Sequence, residues 1–311
     1  MLPKQKDEIR IFTPSPILGY GYDADEFAYG VVECGADAII VDAGSTDLGP
    51  FNLGAGTTLY GYDSYVRGLT LILDACFHLK VKVYISSAGG GGSNQHVDDL
   101  KSIVSEIATQ RNWTFEVASI KAEISRETIH RKLREGLVHP FRPVHALTHE
   151  LVDDTMKIVA QMGAEPFLEA IQSYHDPDVI VAGRAYDPTP FAAFCLSRGV
   201  DLGVAWHAGK ISGVRRLVCG TQRPIHARHG AESELRSHSC QPNATLYTPL
   251  GRCTHILRED SAQPAPGTGG LYYIWKGRDT NSSMMVKRPE SVVPHLFPRP
   301  FIKSNSKASR C

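Results

Sequence analysis

Short apolar runs alternate with longer amphipathic stretches along the first two thirds of the chain. Ile9-Arg10-Ile11-Phe12 predicts a first strand, and Asp23 can cap a helix running to about Cys34, where Gly35 stops it. Ile39-Ile40-Val41-Asp42 is apolar and β-branched, as in a strand buried on both faces. Asp63 is placed to cap a helix that carries Val66, Leu69, Leu73 and Phe77 at helical spacing. Val81-Lys82-Val83-Tyr84-Ile85 is the next strand, followed by a helix over about 95–110 with Ser93 or Asn94 as its cap. A strand over 115–124 and a charged helix over 126–135 come next. A helix is predicted over 150–162, broken at Gly163 and Pro166 and resumed over 167–174. Asp178-Val179-Ile180-Val181-Ala182 is a further strand, and 190–198 a short helix. Strands alternating with helices predict an α/β fold: a mostly parallel sheet, helices on both faces, and ligands at the carboxyl ends of its strands.

Three strands run into small, polar or glycine-bearing loops. Asp42 opens into Gly44-Ser45-Thr46-Asp47 and on through Gly49-Pro50. The Val81 strand opens into Ser86-Ser87-Ala88-Gly89-Gly90-Gly91-Gly92, and the Asp178 strand into Gly183-Arg184-Ala185-Tyr186-Asp187-Pro188. A parallel sheet brings such loops to one edge, and the pattern predicts that Ser45, Ser87 and Arg184 meet there.

The totals restrict what that edge can serve. With 42% hydrophobic and 21% charged residues, the composition is that of a soluble globular protein of one large or two modest domains. Formal net charge is zero, so no electrostatic argument favours nucleic acid or an anionic membrane. No apolar run approaches the roughly 20 residues of a membrane span, and the first residues hold no apolar core of a signal peptide. Seven scattered cysteines without a Cys-x-x-Cys pair fit reduced thiols. These features together predict a cytoplasmic protein.

Asp42, Asp47, Glu123 and Asp187 fall at or near strand ends. Convergent carboxylates suit general acid–base work or a divalent ion; each alone also suits a cap or a turn. The amides of Gly89 to Gly91 could cradle an anion ahead of a helix, although the run lacks the lysine of a P-loop and the spacing of a dinucleotide fingerprint. Arg184 could bind a carboxylate or phosphate bidentately or pair with Asp187. His207 and Lys210, after the apolar run Leu202–Trp206, could supply a base or an oxyanion partner. His145 and His149 are spaced i, i+4 beside a proline-containing connector, a weak metal pattern. Cys34, Cys76 and Cys195 lie on apolar helix faces and read as core.

The sequence resembles the acyclic terpene utilisation (AtuA-like) family. The resemblance rests on 41–47 with Gly49-Pro50 and Leu53-Gly54-Ala55-Gly56, on Ser87-Ala88-Gly89-Gly90, and on Ala122-Glu123-Ile124. It continues through Gln161 to Phe167, Gly183 to Pro188 and His207-Ala208-Gly209-Lys210-Ile211, collinear over about 9–211. It implies a cytosolic α/β protein linked to catabolism of branched acyclic terpenoids as acids or acyl-CoA esters.

Beyond Ile211 the resemblance breaks. The family typically continues Glu-Cys-Gly-Gly-Leu-Cys-Ala-Glu-Pro-Ser, and one coding of that segment, read from its third base, gives the Val214 to Gln222 run found here. The expectation is a shifted reading frame from about Gly213. The predicted organisation is an α/β domain over 1–212, an irregular, trypsin-sensitive segment over 213–240, a partial return to family-like sequence over 241–280, and a disordered tail over 281–311.

Taken with the branched carboxylic acid or CoA thioester that the resemblance implies as substrate, the candidate residues are read as serving lyase or hydratase chemistry. Asp42, Asp47 and Glu123 are the acid–base candidates. Ser45, Thr46, Ser87 and the Gly89, Gly90 and Gly91 amides would bind the carboxylate or phosphate; Arg184 and Asp187 would orient it, with His207 and Lys210 alongside. No cofactor or resident metal is expected, CoA entering only as part of the substrate. Neither nucleic acid nor membrane is an expected partner, and a homo-oligomer stays open. Two rivals stand beside this reading: a catalytically impaired binding or partner protein, and a carboxylate-liganded metal-dependent hydrolase.

Overall fold

The computed structural model describes residues 8–44, 50–140 and 145–213, with the backbone of strands at 225–228, 235–237, 271–274 and 282–287. β1 (Glu8–Phe12) leads to α1 (Ala24–Ala28), whose cap Asp23 accepts hydrogen bonds from the Asp25 and Glu26 amides. A π-helical turn over Tyr29–Glu33 continues it, followed by β2 (Ala38–Asp42), buried along its whole length. α2 (Phe51–Ala55) and α3 (Tyr62–Leu79) follow. Gly61, rather than Asp63, stands at the cap position of α3, and Asp63 lies in the first turn, where its charge still favours the helix amino end. β3 (Lys82–Ser86) precedes α4 (Asn94–Arg111), capped by Ser93. β4 (Val117–Ile120) and α5 (Arg126–Arg134) complete the first half.

β5 (His139–Pro140) and α6 (His149–Asp153) then lead to β6 (Thr155–Gln161). A helix was expected across 150–162; the chain instead makes one short helix and a strand. Residues 155–161 include the β-branched Thr155, Ile158 and Val159, and their partner is a strand more than 120 residues further on, which local periodicity cannot reveal. α7 (Glu165–Ser173) begins at Glu165-Pro166, so the proline that reads as a break sits in the first turn, where its missing N–H has no intrahelical partner to lose. β7 (Val179–Ala182), α8 (Thr189–Ser197) and α9 (Leu202–Gly213) follow.

β1, β2, β3, β7 and β4 form a parallel sheet in the spatial order β4-β7-β3-β2-β1. The expected α/β architecture is therefore present. β8 (Ile225–Arg228) extends the sheet antiparallel to β1, and β9 (Leu235–Ser237) follows antiparallel to β8. Both strands fall inside 213–240, expected to be irregular; the rest of that segment lies outside the described residues. A second sheet has the order β5-β10-β11-β6, where β10 is Leu271–Ile274 and β11 is Ser282–Lys287. β10 lies in the expected family-like return and β11 in the expected tail, whose remaining residues are likewise outside those described.

Alternate residues of the parallel strands bury into two cores. Ile39, Val41, Val83, Ile85 and Val181 pack with Leu69, Leu73, Val97 and Leu100 of α3 and α4. Ile40, Tyr84, Ile120 and Ile180 pack on the opposite face with Phe167, Phe191 and Phe194 of α7 and α8. Burying a large apolar side chain stabilises by roughly 1.5–3 kcal/mol, so each face holds its helices firmly. β3 and β7 are neighbours whose following helices leave on opposite faces. In such sheets a divergence of this kind forms the ligand crevice, at the carboxyl ends of the strands.

Candidate functional site

The crevice is built from three strand ends. Asp42 and Ser86 face each other in register across β2 and β3, and Ser86 Oγ donates to Asp42 Oδ1 at 2.9 Å. Ser87 follows with φ +52, a left-handed conformation that a non-glycine residue holds at a cost. Its amide donates to the Gly183 carbonyl at 3.0 Å, which joins the end of β3 to that of β7. Arg184 comes next; its backbone N–H donates to Gly92 O at 3.0 Å, and its Nη1 to Gly90 O at 3.4 Å.

The glycines let these pieces meet. A Cβ on Gly44 would lie 2.3 Å from Gly90 O, 2.9 Å from Ser87 Cβ and 3.0 Å from Arg184 Nη1. Gly92, at φ +69, would place a Cβ 2.2 Å from the Arg184 nitrogen. No side chain fits at either position.

Arg184 is 2% exposed, and its Nε and Nη2 have no hydrogen-bond partner. The nearest carboxylate contact of Nη2, to Asp187 Oδ1, is 3.8 Å, an ion pair too long for a hydrogen bond. Ser87 Oγ is buried, without a hydrogen bond of full geometry, though it lies near enough to Asp42 to favour its charged form. Buried polar groups are nearly always satisfied, so these open donors mark the candidate site. Asp42, 4% exposed, has its pKa pushed up to about 8, first by burial and then by the negative charge of Asp187. Arg184 and the Ser86 and Ser87 hydroxyls oppose that rise. The carboxyl is thus largely neutral at neutral pH, beside a guanidinium.

Other candidates are placed differently. Glu123 Oε1 accepts from the Asn94 amide at 2.9 Å and from Lys157 Nζ at 3.0 Å, while the Asn94 side chain accepts from the Glu123 amide at 3.2 Å. This reciprocal clamp puts a carboxylate at the amino end of α4, where an anionic ligand would otherwise sit. The Gly90 and Gly92 amides are turned inward, donating to Ser87 O and Ala88 O at 2.9 Å each. Of the three expected amide donors, that of Gly90 is therefore committed within the loop. Lys210 Nζ donates to Tyr186 Oη at 2.7 Å, beside the Arg184 loop, and Gly209 packs against Pro188. His207 lies exposed on α9. Ser45, Thr46 and Asp47 lie outside the described residues.

His149 does not join His145. Its Nδ1 lies 2.6 Å from His130 Nδ1, and His130 Nε2 meets Asp153 at 2.8 Å. Among the described residues no group of three or more His, Cys, Asp or Glu side chains could hold a metal ion. Cys34, Cys76 and Cys195 are free thiols, the last two buried as expected. No helix among the described residues is long and apolar enough to cross a membrane.

Sequence reasoning missed Ser86, Tyr186 and His96. Ser86 shares its strand face with Tyr84, and the β2–β3 register that sets it against Asp42 is not visible in one sequence. His96 stands three residues after the Ser93 cap, a position that turns it back towards the glycine loop; that spacing was an available signal.

The family model described as acyclic terpene utilisation family protein AtuA matches residues 26–198, more than half of the chain. No curated protein and no solved structure matches.

Proposed function

Since the chain belongs to the acyclic terpene utilisation family, we propose that its crevice binds the carboxylate of a branched, terpenoid-like acid, or the carbonyl end of the corresponding CoA thioester, and moves protons beside it. One observation carries this reading: a buried guanidinium with two open donors stands beside a carboxyl that burial keeps protonated. The fork of Arg184 Nε and Nη2 matches the two oxygens of a carboxylate. Ser87 Oγ adds a neutral donor. Burial strengthens each of these contacts, because little water competes.

Asp42 and Asp187 then act as a pair sharing one proton. In the hydration direction, Asp42 gives its proton to the carbon next to the carboxyl group. Water adds at the following carbon, and the proton it releases passes to Asp187. The pair ends with the one proton it began with, and the reverse sequence removes water. This is lyase or hydratase chemistry without a cofactor, the CoA portion being part of the substrate. Reduced thiols suit a cytoplasmic setting.

Metal-dependent hydrolysis fits less well. Asp42 is already countered by Arg184 and Glu123 by Lys157, which lowers the attraction of either site for a cation. A binding protein without turnover would use the same receptor, and exchange chemistry separates the two. With 3-methylbut-2-enoate or 3-hydroxy-3-methylbutanoate in deuterated water, the enzyme reading expects deuterium at the carbon next to the carboxyl group, lost in Asp42→Asn. Thermal stabilisation by these acids without exchange would leave a binding protein; no stabilisation by any branched acid or thioester would remove the reading altogether.

A further inference from the structure

Five of the eight buried side-chain nitrogen and oxygen atoms without a hydrogen-bond partner among the described residues belong to Ser87, His96 and Arg184, all bordering the 87–92 loop. Carboxylate binding uses Ser87 and Arg184. His96 is left over. It is 1% exposed, in the first turn of α4, and no group meets either ring nitrogen at hydrogen-bonding distance and angle. A Cβ on Gly89 would lie 2.6 Å from its Cγ, and one on Gly91 3.3 Å from its Cε1, so two glycines are needed to seat the ring. Burial lowers its pKa, a shift that a weak hydrogen-bonding contact with the Gly56 backbone and the charge of Asp99 oppose, so the ring is neutral at neutral pH. A neutral imidazole has one donor and one acceptor. Its complement is an uncharged group that both accepts and donates, and a hydroxyl is the simplest.

The ring and the guanidinium flank the same stretch of chain. Arg184 Nη1 contacts Gly90 O, while the imidazole lies against Gly91. We propose that His96 is a binding residue for the hydroxyl group of the ligand, so that the crevice prefers a branched hydroxy acid, carboxylate on Arg184 and hydroxyl on His96, over the same acid without the hydroxyl. This deepens the proposed function and rests on it. It also gives the added water a place: the oxygen that joins the carbon chain is the one the imidazole holds.

The test compares 3-hydroxy-3-methylbutanoate with 3-methylbutanoate by calorimetry, on the full chain, with His96→Phe and Arg184→Met. The parent should prefer the hydroxy acid by about tenfold, the equivalent of about 1.4 kcal/mol. His96→Phe should bind both acids equally, at the parent's affinity for 3-methylbutanoate, and Arg184→Met should bind neither. Should His96→Phe fail to fold, imidazole ¹⁵N shifts in the parent decide, assigned through the resonances lost in His96→Gln. The hydroxy acid should move them and 3-methylbutanoate should not. Binding that needs Arg184 but shows an unchanged hydroxyl preference in His96→Phe, or ring shifts indifferent to the hydroxyl, would mean that His96 holds only a structural water, and would overturn the inference while leaving the carboxylate site intact. Binding indifferent to Arg184 would overturn both.

Discussion

Ser86 faces Asp42 across β2 and β3, and its hydroxyl donates to the aspartate at 2.9 Å. That single hydrogen bond does not offset the burial of the carboxyl, which stays protonated well above its ordinary range. The sign for stability follows. A carboxyl whose pKa is higher folded than unfolded keeps a proton that the unfolded chain has lost, so its contribution falls as pH rises from about 4 to about 8. Asp42→Asn, a near copy of the protonated form, should match the parent near pH 4. It should melt progressively higher than the parent towards pH 8, by up to about 1.4 kcal/mol per pH unit, and lose deuterium exchange at every pH. Denaturant titrations from pH 4 to 9 check this; a gap that closes with rising pH would mean the carboxyl is charged in the folded state.

Arg184→Met should keep or raise the melting temperature while removing ligand-induced stabilisation. The substitution takes away a buried charge with two unsatisfied donors and keeps most of the apolar stem, a change that is often neutral or stabilising. A large loss of stability in the ligand-free protein would show that the guanidinium is structural.

Glu123 should behave as a cap. Glu123→Gln keeps an acceptor for the Asn94 amide and loses only a partly exposed ion pair with Lys157, so it should cost about 0.5 kcal/mol. Glu123→Ala should cost about 1–2 kcal/mol, in the range of a lost helix cap. Both should retain branched-acid binding. Loss of exchange in a stably folded Glu123→Gln would return this residue to the acid–base machinery.

Two glycines with nearly the same φ should respond very differently to alanine. Gly56, at φ +68, faces open space, and Gly56→Ala should cost about 1–2 kcal/mol of backbone strain. Gly92→Ala adds a clash with the Arg184 backbone at 2.2 Å, which nothing flexible can relieve. It should cost several kcal/mol more and abolish binding wherever the protein still folds. Chemical denaturation of the pair gives the comparison.

The parallel sheet was legible because its strands announce themselves locally. Ile39 to Val41 and Val179 to Ala182 are short, apolar and β-branched, each followed by turn residues. The meeting of Ser87 with Arg184 was legible for the same reason, since parallel strands must end at one edge. β6 was not. Its identity as a strand depends on β11, and no window around 155–161 contains that partner. Glu123 was ambiguous because a strand-end carboxylate looks the same in sequence whether it faces a ligand or caps a helix. Lys210 read as a base or an oxyanion partner, and only the packing of α9 on the 184–188 loop brings it to Tyr186.

β6 also has a second attachment. Its Ala160 amide donates to Ala122 O, the following Met162 amide donates to Arg184 O at 3.1 Å, and the Tyr186 amide returns to Met162 O at 3.1 Å. The loop that carries the guanidinium is thus stitched, residue by residue, to a strand of the other sheet. The gene therefore has no seam at which the receptor could be divided. A fragment ending near residue 140 would carry Asp42, Ser87 and the whole glycine loop yet lack any anion receptor. Two separately expressed halves should recover one only by reassembling β6 against the end of β7.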